Sequence, residues 1–500
     1  MDNKIVILIT ISWKNALVFY KNLFIGGYII ALQNIQQHGE SMTKLFGTNG
    51  IRGVVNEDMN CNLALGIGQA WGTYLKKTIK RPKVAIGTDA RLSKHMLKNA
   101  VSAGLISTGC DIVDVGVVPT PTLQYTIKER DFDSGVIITA SHNPPHFNGI
   151  KGVASDGTEF SKDVEEEIEK IYFNESFSLA GWKDVGNFER WDGAIDLYIN
   201  GILNAVDVNS IKEKHFHVVI DCGNGAGGRV APILLKKLGC KITELYCELD
   251  GTFPGHNSEP LPENLGDLIK KVPAAKADLG AAQDGDADRA IFVDEKGNYI
   301  WGDKTLALGA KYATIKNGGT AVTPITTSSC FDDVVKENNG RVIHTAVGSP
   351  IVARVMIENN SVFGGEENGG LIFPEMQYCR DSAMSIAKVL EIMAKENKKL
   401  SELIDEIPKY EVYKTKMPCP HDKKEVVMKT LIEQTKGDRG IKKVDETDGI
   451  KLYVEGGWVH MRPSGTEPIF RVYSESKDKN RAEELALTYK KLAEEIIRNS

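Results

Sequence analysis

Three aspartates, Asp284, Asp286 and Asp288, stand at alternate positions in LGAAQDGDADRAIFVDEKG. In an extended turn this alternation gathers three carboxylates around one point, which is costly without a cation, and oxygen-only donors suit Mg²⁺. An EF-hand would use Glu295 as its twelfth position, but it needs glycine at the sixth, where Arg289 stands, and helices where these flanks are strand-like. A solvated acidic turn is the plainer alternative. A second reactive group, Ser141, lies in ITASHNPPHFNGIK, after the β-branched run GVIITA and before Asn, Pro and Gly residues that stop a strand. Strand ends in α/β sheets face the ligand crevice, so this hydroxyl is placed for chemistry, although a surface turn reads the same way. The adjacent His142 does not make it a hydrolase, because neighbours on extended backbone point apart and no G-x-S-x-G elbow is present.

Two further clusters offer polar tips. FGGEENGGLIF sets glycines on both sides of Glu366, Glu367 and Asn368, so a tight loop with exposed polar ends is expected, suited to sugar hydroxyls or simply a hairpin turn. RPSGTEP, between the strands WVHM and IFRVYS, combines Arg462, Ser464, Gly465 and Thr466. A guanidinium, two hydroxyls and successive backbone N–H groups in one turn can hold a phosphate dianion.

The elements that must position these groups repeat along the chain. VAIGTDARLS, VVIDCGNGAGG and TAVTPITTSS each offer an apolar strand, a turn and a helix-like segment about one domain apart. This predicts an α/β fold of three related α/β domains with mixed sheets, followed by a C-terminal α+β domain of strands, a hairpin and the amphipathic helix DKNRAEELALTYKKLAEEIIRNS. The expected boundaries are 42–190 with the serine loop, 191–299 with the aspartates, 300–409 with the glycine-flanked loop and 410–500 with RPSGTEP. At 500 residues, 42% hydrophobic and 26% charged, the chain can bury a large core. A net charge of −6, not concentrated in one block, leaves no electrostatic footprint for nucleic acid or an anionic membrane surface, so a small polar ligand is the expected partner. Eight scattered cysteines without C-x-x-C spacing read as reduced core thiols of a cytoplasmic protein.

Taken together, the four clusters resemble the α-D-phosphohexomutase superfamily, which comprises the phosphoglucomutase, phosphomannomutase and phosphoglucosamine mutase enzymes, in its archaeal form. The likeness runs from about Leu45 to the C-terminus and includes FGTNGIRG, GTDARLS, VPTPT, DGTFPGHNSEPLPENL and TAVGS. It implies a heart-shaped molecule, monomer or weak dimer, whose four domains line one central cleft and supply one loop each. Ser141 would carry a phosphoryl group and, with Asp284, Asp286 and Asp288, complete the site of one Mg²⁺ per chain. The serine would pass its phosphoryl to a hexose 1- or 6-phosphate, and the resulting hexose 1,6-bisphosphate, also the activator, would turn over and return its other phosphoryl. Glu366 and Asn368 would grip ring hydroxyls. Arg462, Ser464, Gly465, Thr466 and Arg471 would hold the phosphate that is not reacting. Arg52, Arg91 and Arg289 would face the reacting phosphate, with interdomain ion pairing as the plain alternative for Arg52 and Arg91, and His142 and Lys151 would be the candidates for proton transfer.

The chain departs from bacterial relatives, whose G-E-x-S-G-H pattern has a serine where Asn368 stands and a closing histidine where Gly370 stands. That leaves the acid/base group open. FGTNGIRG and the Asn-bearing loop point to glucosamine phosphate, with mannose and glucose phosphates as the alternative. Two other classes compete: a Mg²⁺-dependent sugar phosphatase using Asp284 as nucleophile, and a non-catalytic sugar-phosphate binder, both of which leave Ser141 without a task.

Residues 1–41 contain the apolar runs KIVILITISW and LFIGGYIIAL, broken by Lys14, Lys21 and Asn22, and neither reaches the ~20 residues that span a bilayer. They read as a non-native extension from an over-extended start codon, with Met42 as the natural start. Mass spectrometry of the N-terminal peptide from the native source should find Met42; a Met1 peptide would refute this.

Overall fold

Short β-branched runs form the centres of four sheets in the computed structural model, which describes residues 44–47, 49–314, 318–435, 437–464 and 468–499. The expected extension at 1–41 and two phosphate-loop residues, Gly465 and Thr466, lie outside the described residues. The first sheet has six strands, in the order Ile51–Val54, Phe147–Ala154, Ser134–Ile138, Lys83–Thr88, Asp111–Val117 and Phe188–Arg190. Its last four strands are parallel neighbours, as crossover helices require, whereas Phe147–Ala154 returns antiparallel to Ser134–Ile138. The second sheet orders Tyr299–Ile300, Ala290–Asp294, Leu279–Gln283, His217–Asp221 and Lys241–Leu245; the third orders Gly340–Thr345, Gly319–Pro324, Phe363–Glu366 and Gly370–Ile372. Both join a parallel set to an antiparallel hairpin. The fourth sheet, of five strands, is antiparallel throughout.

These hairpins bear on the chemistry. Ile138 pairs with Ile150, Gln283 with Ala290, Glu366 with Gly370, and Pro463 with Phe470. Each of the four sequence clusters therefore begins or lies at the turn of an antiparallel hairpin, and a rigid ladder holds both of its ends.

The cores follow from the same pattern. One continuous apolar cluster runs through the second and third sheets, from Tyr198 and Val218 by way of Phe292 to Phe363, Leu371 and Leu403, so those two units share an interior. The fourth sheet has its own core, around Val459, Phe470 and Val472. It also packs the helix Lys424–Thr435, which the sequence reading passed over although Val427 and Leu431 are spaced one turn apart and buried. The cysteine reading holds only in part: Cys61, in the first turn of a helix, is exposed and Cys247 is half-buried. Among the described residues no helix is long and apolar enough to cross a membrane.

The strand leading to Ser141 is supported from below. Helix Cys61–Leu75 starts where the Asn60 side chain accepts the N–H groups of Asn62 and Leu63, and it buries Trp71 completely. The Trp71 indole N–H donates to the Ser134 hydroxyl at 3.2 Å, and its ring lies 4.7 Å from that of Phe160. Trp71→Ala should lower the free energy of unfolding by about 3–5 kcal/mol, the range for an aromatic side chain removed from a close-packed core. Chemical denaturation followed by circular dichroism would show this, and an unchanged midpoint would contradict it.

Candidate active site

Backbone sterics already mark Ser141. It follows the strand Ser134–Ile138, holds a φ of +52° and is fully buried. A non-glycine residue in the left-handed region needs support from its surroundings. Its own N–H donates to Thr139 Oγ1 at 2.9 Å, and Arg91 supplies the rest. The guanidinium of Arg91, also fully buried, donates to Asp89 Oδ2 and to the carbonyls of Pro144, Phe147, Ser141 and Asn143 at 2.5–3.1 Å. All five donors are taken up by the serine loop and Asp89. This corrects the expectation that Arg91 faces a reacting phosphate: the residue shapes the loop from behind. Arg52 is differently placed, half-buried, with Nη1 donating to Asn143 Oδ1 at 3.0 Å and to Ala140 O at 3.5 Å.

The aspartate hairpin meets this loop directly. A Cβ on Gly285 would sit 2.5 Å from the carbonyl oxygen of Ser141, so only glycine admits the approach. That contact brings Ser141 Oγ to 2.8 Å from Asp284 Oδ2, where it donates, and to 3.4 Å from His142 Nδ1. Asp284, Asp286 and Asp288 are all buried, and each offers one oxygen within 4.8 Å of the others. Asp284 Oδ1 accepts the N–H groups of Asp288 and Arg289. Asp286 Oδ2 accepts the Thr120 hydroxyl at 2.7 Å and Lys151 Nζ at 2.9 Å. Asp288 Oδ2 pairs with Arg380. Asp286 Oδ1 and Asp288 Oδ1 are left buried without a hydrogen-bond partner. Two orphaned carboxylate oxygens beside Asp284 and the serine hydroxyl, all hard donors, fit a divalent cation of the Mg²⁺ kind.

The electrostatics agree with that donor set. Burial, then the neighbouring charges of Asp288 and Asp286, push the Asp284 carboxyl well up. Burial also opposes ionisation of Asp286, but Lys151, Thr120 and Arg52 outweigh it and hold that carboxyl well below the usual range. Burial, helped by Arg289 and Arg52, lowers His142 to about 2, which leaves its imidazole neutral. Arg289 lies 3.7 Å from Asp288 Oδ1 and 4.0 Å from Asp284 Oδ2.

The other two clusters join through a chain of contacts. Glu366 is not the exposed tip that its glycine flanks suggested. It is 3% exposed, with Oε2 accepting Arg380 Nη1 at 2.6 Å and Oε1 accepting the Gly348 N–H at 3.2 Å. Asn368 is half-buried and folds its Oδ1 back onto the Gly370 N–H. Next to Gly348, the Val347 N–H donates to Asp448 Oδ2, which also pairs with Arg462. Ser464 is buried, and its carbonyl accepts Lys424 Nζ at 2.6 Å. In the strand register Arg462 pairs with Arg471, and Arg471 with Lys416. These three cations form one row across the sheet, with Arg462 paired to Asp448.

Sequence reasoning missed Thr120, Arg380, Lys416 and Lys424. Thr120 lay in the quoted VPTPT and could have been singled out. Arg380, in the unremarkable stretch YCRDS, carried no signal of its own, because its importance comes from what packs around it.

Comparison with known proteins bears on all of this. Four family models match in chain order: phosphoglucomutase/phosphomannomutase alpha/beta/alpha domain I over residues 43–179, domain II over 196–297, domain III over 301–410, and the C-terminal domain over 416–491. A phosphoglucomutase/phosphomannomutase of Thermococcus kodakarensis is 48% identical over 460 residues, covering 91% of this chain and 100% of that one. A phosphoglucosamine/phosphogalactosamine mutase of Sulfurisphaera tokodaii is 40% identical over 458 residues, with the same coverage. Among solved structures, a phosphoglucomutase/phosphomannomutase family protein of Burkholderia thailandensis superimposes with a TM-score of 0.82 at 28% identity, covering 91% of this chain and 97% of that one. With all four domain models present in order and relatives matched along their whole length, the chain belongs to the phosphoglucomutase/phosphomannomutase family and is an isomerase-class phosphohexomutase.

Proposed function

We propose that Ser141 is the phosphoryl carrier of this mutase and that the preferred substrate is a glucosamine phosphate. One observation carries the reading: Ser141 Oγ lies 2.8 Å from Asp284, beside two buried carboxylate oxygens that have no hydrogen-bond partner. A hydroxyl there, once phosphorylated, places its phosphoryl oxygens against the same donors. Mg²⁺ held by Asp284, Asp286 and Asp288 would supply neutralisation of phosphoryl charge.

The chain's own residues account for the remaining steps. A sugar hydroxyl attacks the phosphoserine phosphorus, the P–O bond to Ser141 breaks as the P–O bond to the sugar forms, and the hydroxyl proton passes through the neutral imidazole of His142 to the departing serine oxygen. Lys151, the other candidate, is already an ion-paired donor to Asp286. The hexose 1,6-bisphosphate then presents its other phosphoryl to Ser141, and the transfer reverses. Arg52 and Arg289, which lie near the serine and the aspartates, are assigned to the reacting phosphate. Arg462 and Arg471, with Ser464, Gly465 and Thr466, are assigned to the distal phosphate, and the cross-strand cation row supports this. Glu366 and Asn368 are assigned to the ring hydroxyls, and Arg91 to loop shape. Transfer from a serine rather than hydrolysis is favoured by the loop's construction, since four guanidinium hydrogen bonds shape the loop of a serine that a phosphatase would not use.

A second reading keeps the chemistry and changes the sugar to glucose or mannose phosphate, as the 48%-identical relative's name suggests for this chain.

Ser141→Ala should lower kcat by at least about 10³-fold, as expected when a nucleophile is removed, while hexose phosphate still binds by calorimetry. Wild-type protein should yield a phosphorylated Ser141 peptide. Full activity in the variant would end the proposal. A panel of glucosamine, glucose and mannose 1-phosphates, assayed with Mg²⁺ and a trace of bisphosphate, should give the highest kcat/KM for the amino sugar. The reverse order would favour the second reading, and release of free phosphate without isomerisation would favour the phosphatase.

A further inference from the structure

Two carboxylates with different tasks share one guanidinium. Arg380 has its side chain 5% exposed; Nη2 pairs with Asp288 Oδ2 in the aspartate hairpin, and Nη1 with Glu366 Oε2 in the glycine-flanked hairpin. Asp288, one of the three clustered carboxylates, then has one oxygen fixed by Arg380 and the other free of hydrogen bonds, 3.7 Å from Arg289 Nε. Glu366 is fixed at both oxygens, by Arg380 and by the Gly348 N–H.

The surroundings hold the guanidinium in place. Arg380 forms an antiparallel bridge with Ile372, and the Asp381 N–H donates to Leu371 O, so its backbone is pinned to the hairpin that contains Glu366. Asp381 then caps the helix Ser382–Glu396 by accepting the Met384 N–H, and the Ser382 hydroxyl donates to Ala287 O inside the aspartate loop at 2.6 Å. Arg380 and Ser382 therefore both brace that loop, and Asp381 between them fixes the helix start. The side chain's path crosses Gly370, where a Cβ would lie 2.2 Å from Arg380 Cδ and 2.8 Å from Cγ. The side chain absent at Gly370 is thus the space the arginine stem occupies.

We propose that Arg380 is a positioning residue which sets Asp288 toward the cation and Glu366 toward the sugar with a single planar group, so that the two subsites are aligned together. The inference rests on the mutase reading for what those carboxylates hold. A forked guanidinium can bridge two carboxylates in fixed directions, whereas an ammonium is a point charge on a flexible stem. Partners that orient metal ligands from behind typically change metal affinity by about 10–100-fold when altered.

The deciding variants therefore keep the positive charge. Arg380→Lys removes the fork, and Gly370→Ala leaves the arginine but displaces its stem. In each, Mn²⁺ binding followed by electron paramagnetic resonance, and binding of the best hexose 1-phosphate from the panel above followed by calorimetry, should both weaken by about tenfold or more. Circular dichroism should stay like that of the wild type. If Arg380 served only as charge or filler, Arg380→Lys would keep both affinities. A loss in only one affinity, or in neither, overturns the proposal. Where one variant does not fold the other decides, and if neither folds the residue is a structural strut and the proposal falls. Wild-type protein that binds Mn²⁺ and hexose phosphate but turns over no sugar would sink the mutase reading while leaving the comparison of affinities intact.

Discussion

Three carboxylates within 4.8 Å of one another in a buried site repel strongly, and much of the surrounding structure answers that repulsion. Lys151 reaches Asp286 from the serine hairpin, Thr120 reaches it from the start of a helix, and Arg380 reaches Asp288 from the third sheet. Ser141 donates to Asp284. These groups come from three segments, the serine hairpin, the helix that starts at Thr120 and the stretch at Arg380, so compensating the charge also draws separate parts of the chain to one point. Asp286 Oδ1 and Asp288 Oδ1 stay without a hydrogen-bond partner, the latter 3.7 Å from Arg289 Nε.

Antiparallel hairpins make this convergence possible. Parallel strands joined by helices give large buried sheets, but their connections are long. By adding an antiparallel return to a parallel set, each of the first three sheets gains a short turn with both ends fixed by a ladder, and the fourth sheet offers one at 463–470. The second and third units share one core, which sets the aspartate and Glu366 hairpins rigidly with respect to each other. The fourth unit has a separate core and touches the Glu366 hairpin's neighbourhood through Val347 and Asp448.

The arginines show how little residue type says about role. Arg91 and Arg52 both stand in quoted motifs near the serine. Arg91 is fully buried with every donor on the serine loop and Asp89, whereas Arg52 stands half-buried at the loop's edge. A guanidinium surrounded by carbonyls shapes backbone, and one left near solvent remains available to a ligand.

The four reactive clusters, their order and the strands that bracket them were legible in the residues alone. Strand periodicity, turn chemistry at Asn, Pro and Gly, and the alternation of Asp284, Asp286 and Asp288 are local properties, and a sequence displays local properties directly. The convergence of Ser141 on Asp284, the inward turn of Glu366, the placement of Arg91 behind its loop and the bridge made by Arg380 were decided only by tertiary structure. Each of these depends on which distant segment supplies the compensating charge or the missing side-chain volume. Arg380 and Gly370 are ten positions apart in sequence and meaningful only as a pair, because one fills the space the other leaves.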